Sequence, residues 1–172
     1  MPRAGIALGS NVGDRLANLR AAAARLCEIA IPGAPVLAAP IYQTPPRHCP
    51  PGSPDFLNSV IEIGFAGGPH DLLEQTRVIE TQLGRVCGTA RKAARMIDLD
   101  LLYLGDRCRA GGGLVLPHPR LANRRFVLQP LADIRPDLVL PGQSLTIAGL
   151  LATLGPDEPP LVLLSEGLVP SS

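Results

Sequence analysis

Met96-Ile-Asp-Leu-Asp-Leu-Leu-Tyr-Leu104 decides how the rest of the chain is read. Apart from Asp98 and Asp100, the stretch is apolar throughout. Side chains on a strand alternate between faces, so residues two apart project together, roughly 6.6–7 Å apart along the chain. Asp98 and Asp100 then share one face, while Leu99 and Leu101 take the other. Two bare like charges on a buried strand are costly. Two arrangements remove that cost. One is a divalent cation or a pair of them, since Mg²⁺ is commonly held by one or two carboxylates with water and phosphate completing the shell. The other is an open sheet face on which both aspartates stay hydrated.

Working outward, the same alternation marks strands at Arg3–Gly9, Val36–Gln43 and Leu57–Phe65. Asp14 can cap a helix running to Ile29, with the stripe Leu16, Leu19, Ala23, Leu26 and Ile29 at helical spacing. Pro69 opens a second helix that Gly84 closes, with the stripe Leu72, Thr76, Ile79 and Leu83. The order β-α-β-β-α-β predicts an α+β ferredoxin-like sandwich, a mainly antiparallel sheet with flanking helices. After the Gly-rich turn at Gly111–Gly113, Leu114–Leu116 reads as extended, Pro119–Leu131 as containing a helical turn and Ile147–Leu154 as a last helix. The reading is one domain over residues 1–155 and a loosely attached Pro-rich tail over 156–172, in which Leu161–Leu164 can add a strand. Two stretches resist regular structure: Thr44–Asp55, with five prolines and Gly52, and the basic, unpatterned Arg85–Arg95.

Composition narrows the chemistry. Aromatics are 3% of the 172 residues, so the core is aliphatic. The net charge of +1 argues against a general polyanion binder. It hides an asymmetry, because Arg85–Arg125 holds nine basic and three acidic residues and so carries +6. A basic segment around two close aspartates suits a small, highly charged anion held together with metal. Lys92 is the only lysine among 16 basic residues. Arginine is the better bidentate phosphate ligand, although a codon bias toward Arg is the other reading. The four cysteines lack metal-finger or redox spacing and read as reduced thiols. The N-terminus shows no signal-peptide pattern and no apolar run is long enough to span a membrane, so a cytoplasmic monomer without membrane or nucleic-acid partners is expected.

Arg85, Arg91 and Arg95 lie just upstream of the aspartates, and arginines facing a metal form the recurring clamp for phosphoryl transfer. No Walker A motif or kinase glycine-rich loop is present. Asn58 follows Phe56 at the exit of the proline loop, with Phe126 remote in sequence. An amide can read the edge of a flat heterocycle and two phenyl rings can sandwich it; two core phenylalanines and a turn asparagine are the alternative. His118, in the rigid Pro117-His118-Pro119, can bond a phosphate or cap a turn.

The chain resembles the 6-hydroxymethyl-7,8-dihydropterin pyrophosphokinase family of folate biosynthesis. The resemblance rests on Ile6-Ala-Leu-Gly-Ser-Asn11, Tyr42-Gln-Thr-Pro-Pro46, Asp55-Phe-Leu-Asn58, Ile79-Glu80, Gly84-Arg85, Arg95-Met-Ile-Asp-Leu-Asp-Leu-Leu102, and Leu116-Pro-His-Pro-Arg120 through Asn123-Arg-Arg-Phe126. It implies pyrophosphate transfer from ATP to the pterin hydroxymethyl group, with AMP leaving. It implies two Mg²⁺ on Asp98 and Asp100. ATP would meet Glu80, Arg85, Arg91, Arg95, His118 and Arg124, with Arg85 and Arg95 catalytic. Pterin would meet Thr44, Pro45, Pro46 and Asn58 between Phe56 and Phe126. Three active-site loops are implied, at Ser10–Asp14, Thr44–Asp55 and Arg85–Arg95.

The chain departs from the family's usual residues at Gly88, Lys92, Ala93, Ala94, Phe56 and Gly113, differences that bear on loop closure more than on the reaction. Two rivals share the expected fold: an RNA-binding module, which needs aromatics where Asp98 and Asp100 stand, and a nucleotide sensor that binds without producing AMP.

Overall fold

The structure, a computed structural model, describes residues 1–46, 51–84, 96–158 and 160–169 of the chain. β1 (Arg3–Ser10) lies between β4 (Phe56–Gly64) and β5 (Asp98–Leu104), antiparallel to both. β3 (Pro40–Thr44) pairs β4 on its other side, and β8 (Val162–Gly167) pairs β3, giving the order β5-β1-β4-β3-β8. The two-residue β2 (Leu37–Ala38) also pairs β4. β6 (Arg109–Gly111) and β7 (Leu114–Leu116) form a separate hairpin across the Gly-rich turn.

The pleat divides the core in two. Ala4, Ile6 and Leu8 of β1 meet α1 (Arg15–Ile29) and α2 (Pro69–Gln82) through Leu19, Leu26, Leu72 and Ile79. The opposite face, with Val60 and Tyr103, meets α3 (Arg125–Ile134) and α4 (Ile147–Thr153) through Val127, Leu131 and Ile147. Asp14 caps α1 as expected, its Oδ1 accepting from Ala17 N–H at 3.0 Å. Gly84, at φ +103°, follows the end of α2 in the left-handed conformation that stops helices.

Three features differ from the sequence expectation. The strand expected over Val36–Gln43 is two pieces, because the register with β4 slips by one residue between Ala38↔Ile61 and Tyr42↔Asn58. Ser59 Oγ donates to the carbonyls of Ala39 and Pro40, 3.0 Å away in each case. The strand expected at Leu161–Leu164 forms as β8, but the segment is held rather than loosely attached: β8 extends the sheet, Leu168 is 2% exposed in the core, and Arg20 Nε donates to the Gly167 carbonyl at 2.9 Å. β5 carries a bulge, since Gly5 pairs Tyr103 but Ile6 pairs Leu101. The extra residue turns Leu102 and Tyr103 to the same side, into the α3 core.

Tyr103 lies across Gly5, where an added Cβ would sit 2.3 Å from its ring. The phenol thereby reaches over β1 to Glu62 of β4. Gly5→Ala is expected to lower stability by about 1–3 kcal/mol through overpacking. A urea midpoint equal to that of the wild type would show that the ring moves aside without cost.

Candidate active site

The pairing of four strands brings the expected site residues Asp98 and Asn58 onto one surface. Asp98 of β5 pairs Gly9 of β1, Gly9 pairs Asn58 of β4, and Asn58 pairs Tyr42 of β3. Cross-strand partners share a face, so these four form a row on the α3 side of the sheet. Asp98 and Asn58 are two strand spacings apart, about 9.5 Å. Asp100 lies next to Asp98 on the same face, paired with Ala7, and both aspartates are half-buried while Leu99 and Leu101 go inward.

Behind β5, the buried Glu80 of α2 accepts the Leu99 N–H at 2.8 Å through Oε1. It therefore fastens the edge strand at the residue between the two aspartates. Above the face, Arg124 immediately precedes α3 and holds its guanidinium 5.5 Å from the centroid of the Phe126 ring. Burial draws the Arg124 pKa down, and Asp100 and Asp98 pull it back up, which places the guanidinium within electrostatic reach of both carboxylates. His118 is hung from the β5 bulge, its N–H donating to the Leu102 carbonyl at 2.8 Å. Its Nδ1 accepts from Arg120 N–H at 3.1 Å, so Nε2 carries the ring proton. His118 thus caps a turn and keeps a donor. Burial, then Arg124 and Arg120, lower its pKa against the opposing pull of Asp98.

On the other side of Gly9, Asn58 Nδ2 donates to Thr44 Oγ1 at 2.7 Å, both residues being buried. Phe56 pairs Thr44 and stands beside Gly9, and Phe126 packs against the α3 core. Pro45 and Pro46 follow β3 directly. The two ends of the proline loop are tied by Gln43 Nε2 donating to Asp55 Oδ2 at 2.9 Å. Tyr42 hydrogen-bonds Asp133 of α3, and burial followed by that bond pushes its pKa up to about 12. Arg85, Arg91 and Arg95, with Gly88, Lys92, Ala93 and Ala94, lie outside the described residues. Gly9, the end of the expected first strand and part of the Ile6–Asn11 motif, lies inside β1, and a glycine inside a pleated strand signals a close approach.

Asp98 and Asp100 fit Mg²⁺. They offer two carboxylates side by side on one face. Such a pair suits a metal that takes the rest of its ligands from water and phosphate.

The fold is shared with solved structures of HPPK-DHPS chains. One, described as in complex with substrates, matches at TM-score 0.69 and 12% identity, over 89% of this chain and 45% of that one. A Plasmodium falciparum HPPK-DHPS variant matches at TM-score 0.69 and 14% identity, over 88% and 45%. This chain therefore spans less than half the length of those chains. Sequence similarity goes further. A 2-amino-4-hydroxy-6-hydroxymethyldihydropteridine pyrophosphokinase of Methylorubrum extorquens is 42% identical over 160 residues, covering 91% of this chain and 96% of the relative. The enzyme of the same name in Bacillus subtilis is 42% identical over 129 residues, 75% of each chain. Fold and sequence together place the chain among relatives of the 2-amino-4-hydroxy-6-hydroxymethyldihydropteridine pyrophosphokinases. Residues 5–136 match the 7,8-dihydro-6-hydroxymethylpterin-pyrophosphokinase (HPPK) family, and the chain belongs to it.

Proposed function

We propose that this chain transfers pyrophosphate from ATP to the hydroxymethyl group of 6-hydroxymethyl-7,8-dihydropterin at the Asp98–Gly9–Asn58–Tyr42 row. The row is the observation that carries the reading: it puts the Asp98 carboxylate and the Asn58 amide on one face, about 9.5 Å apart, which supports an anion-and-metal side beside a heterocycle side. Asn58, Thr44, Pro45 and Pro46 hold the pterin edge, with Phe56 and Phe126 on its faces. Arg124 and His118 Nε2–H meet the ATP phosphates, joined by Arg85, Arg91 and Arg95 as the nucleotide is enclosed. Glu80 serves the nucleotide side through β5, whose Leu99 N–H it holds. Asp98 and Asp100 hold Mg²⁺, two ions in this reading, which neutralises phosphate charge when bound.

The hydroxymethyl oxygen forms a bond to the β-phosphorus, the bond from that phosphorus to the α–β bridging oxygen breaks, and AMP leaves with the electron pair. The hydroxyl proton passes to a phosphate oxygen. Positioning and electrostatics supply the catalysis, with Arg85 and Arg95 gripping the phosphates most tightly in the transition state. The strand order, with β1 and β4 central and β5 and β3 outside them, supports the ferredoxin-like reading, and the three active-site loops belong to the same reading. So do a catalytic domain over residues 1–155 and a cytoplasmic monomer acting on small molecules; no helix among the described residues is long and apolar enough to cross a membrane.

The deciding assay is AMP release. AMP should appear only with ATP, hydroxymethyldihydropterin and Mg²⁺ together, in equal amount to pterin pyrophosphate. ADP as product, or AMP without pterin, would overturn the assignment. Asn58→Ala should weaken pterin binding by roughly 10–100-fold while sparing ATP, because an unmatched polar edge costs about 1–3 kcal/mol. Calorimetry with each ligand checks this, and equal losses would remove Asn58 from the pterin site.

A further inference from the structure

A cavity of about 760 Å³ opens on the α3 side of the sheet, at the end away from the site row. Its walls are the start of β1, the end of β5 with the turn that follows it, and the connection between α3 and α4. Arg3, in its wall, and Gly9 stand six residues apart on β1, about 20 Å. No residue of the row lines the cavity, and its volume is that of a small-molecule site.

The charges around it do not cancel. Arg3, Arg107 and Arg135 line it together with one acid, Asp106. Arg3 Nε and Arg135 Nη1 both donate to Glu62, so a single carboxylate answers two guanidinium groups. Three guanidinium groups against Asp106 and Glu62 leave one positive charge. Among the described residues no carboxylate pairs with Arg107, and Arg3 Nη1 is buried without a hydrogen-bond partner. A buried donor in that state calls for an acceptor. Pro2, Leu138, Val139 and Pro141 make the rest of the wall apolar, and Val139 is 49% exposed.

This combination selects a ligand. The guanidinium fork matches the two oxygens of a carboxylate. One net positive charge suits a monoanion better than a phosphate dianion. An apolar wall favours a ligand that brings apolar surface out of water.

We propose that this cavity is a second ligand site, separate from the site row, which takes a small organic carboxylate with an apolar body. The carboxylate meets Arg107 and the unspent N–H groups of Arg3 and Arg135, and the body lies on the Leu138–Pro141 wall. The ligand then bridges β1, β5 and the α3–α4 connection, so it stabilises the fold as it binds.

Calorimetry on the full chain tests this with octanoate and 2-naphthoate, each beside its neutral amide, in the presence of Mg²⁺ and a non-hydrolysable ATP analogue. At least one acid should bind saturably, with a dissociation constant of about 1 mM or below, and its amide about tenfold or more weakly. That acid should also raise the melting temperature. Two substitutions locate the site at exposed positions of the wall. Val139→Asp adds a negative charge and should weaken the acid by about fivefold, the effect of one unit charge a few ångströms away near water. Asp106→Asn removes one and should tighten binding by about the same factor, a gain that a damaged fold cannot produce. Failure of both acids to bind, amides that bind as well as the acids, or an affinity left unmoved by either substitution would overturn the proposal.

Discussion

Asp98→Ala and Asp100→Ala should each abolish AMP formation, with losses of about a thousandfold or more, while the fold stays intact. Metal neutralisation of phosphate charge is worth several kcal/mol in the transition state, and each 1.36 kcal/mol is about tenfold in rate. The fold is spared because both side chains are half-exposed on the site face, while Leu99 and Leu101 carry the packing of β5. Removing one carboxylate gives up its attraction to Arg124 and relieves its repulsion from the other, two effects of opposite sign. The melting temperature without Mg²⁺ should therefore change little, and the stabilisation that Mg²⁺ and ATP confer on the wild type should vanish. AMP assays and thermal melts with and without Mg²⁺ check both halves. Near-normal turnover in either folded variant would remove the aspartates from the metal site.

The largest structural effect is expected at Glu62, which is fully buried on β4. Its carboxylate accepts from Arg3 Nε at 2.9 Å, from Arg135 Nη1 at 2.5 Å and from the Tyr103 hydroxyl. Glu62→Ala leaves two guanidinium groups and a buried phenol without their acceptor. Breaking a buried ion pair from one side commonly costs 3–5 kcal/mol. Arg3 and Arg135 keep 21% and 32% of their side chains exposed and can rehydrate in part, so the expected loss is about 3 kcal/mol. Guanidinium-chloride unfolding measures it, and a loss indistinguishable from that of an exposed Glu→Ala change would show that the network stabilises nothing.

The same residue sets an acid limit. Burial alone would raise the Glu62 pKa, but hydrogen bonds from Tyr103, Arg135 and Arg3 outweigh it and hold it below its usual value of 4.5. The native state therefore binds the proton less readily than the unfolded chain does. That contribution to stability is complete above the unfolded pKa and is lost as pH falls through the depressed native one. The stability difference between wild type and Glu62→Gln should be full above the unfolded-state pKa and shrink steadily as pH falls below it.

How much of this was legible in the sequence follows from the range of each signal. Alternation in Met96–Leu104 put Asp98 and Asp100 on one face, and Asp14 and Pro69 marked helix starts, because strand and helix periods act over a few residues. The resemblance supplied the family. Tertiary structure decided everything that depends on register. That Gly9 stands between Asn58 and Asp98 requires β1 to lie between β4 and β5 in one alignment, and a slip of β1 by one residue would turn position 9 to the other face. Glu62 is tolerable in an apolar strand only because partners 59, 41 and 73 residues away converge on it. Glu80 reaches Leu99 because α2 packs behind the sheet edge, and the C-terminal segment forms a strand because β3 offers it an unpaired edge. A local pattern fixes which way a side chain faces, but which groups it meets is set by contacts between distant segments, and those pairings form only when the whole sheet assembles.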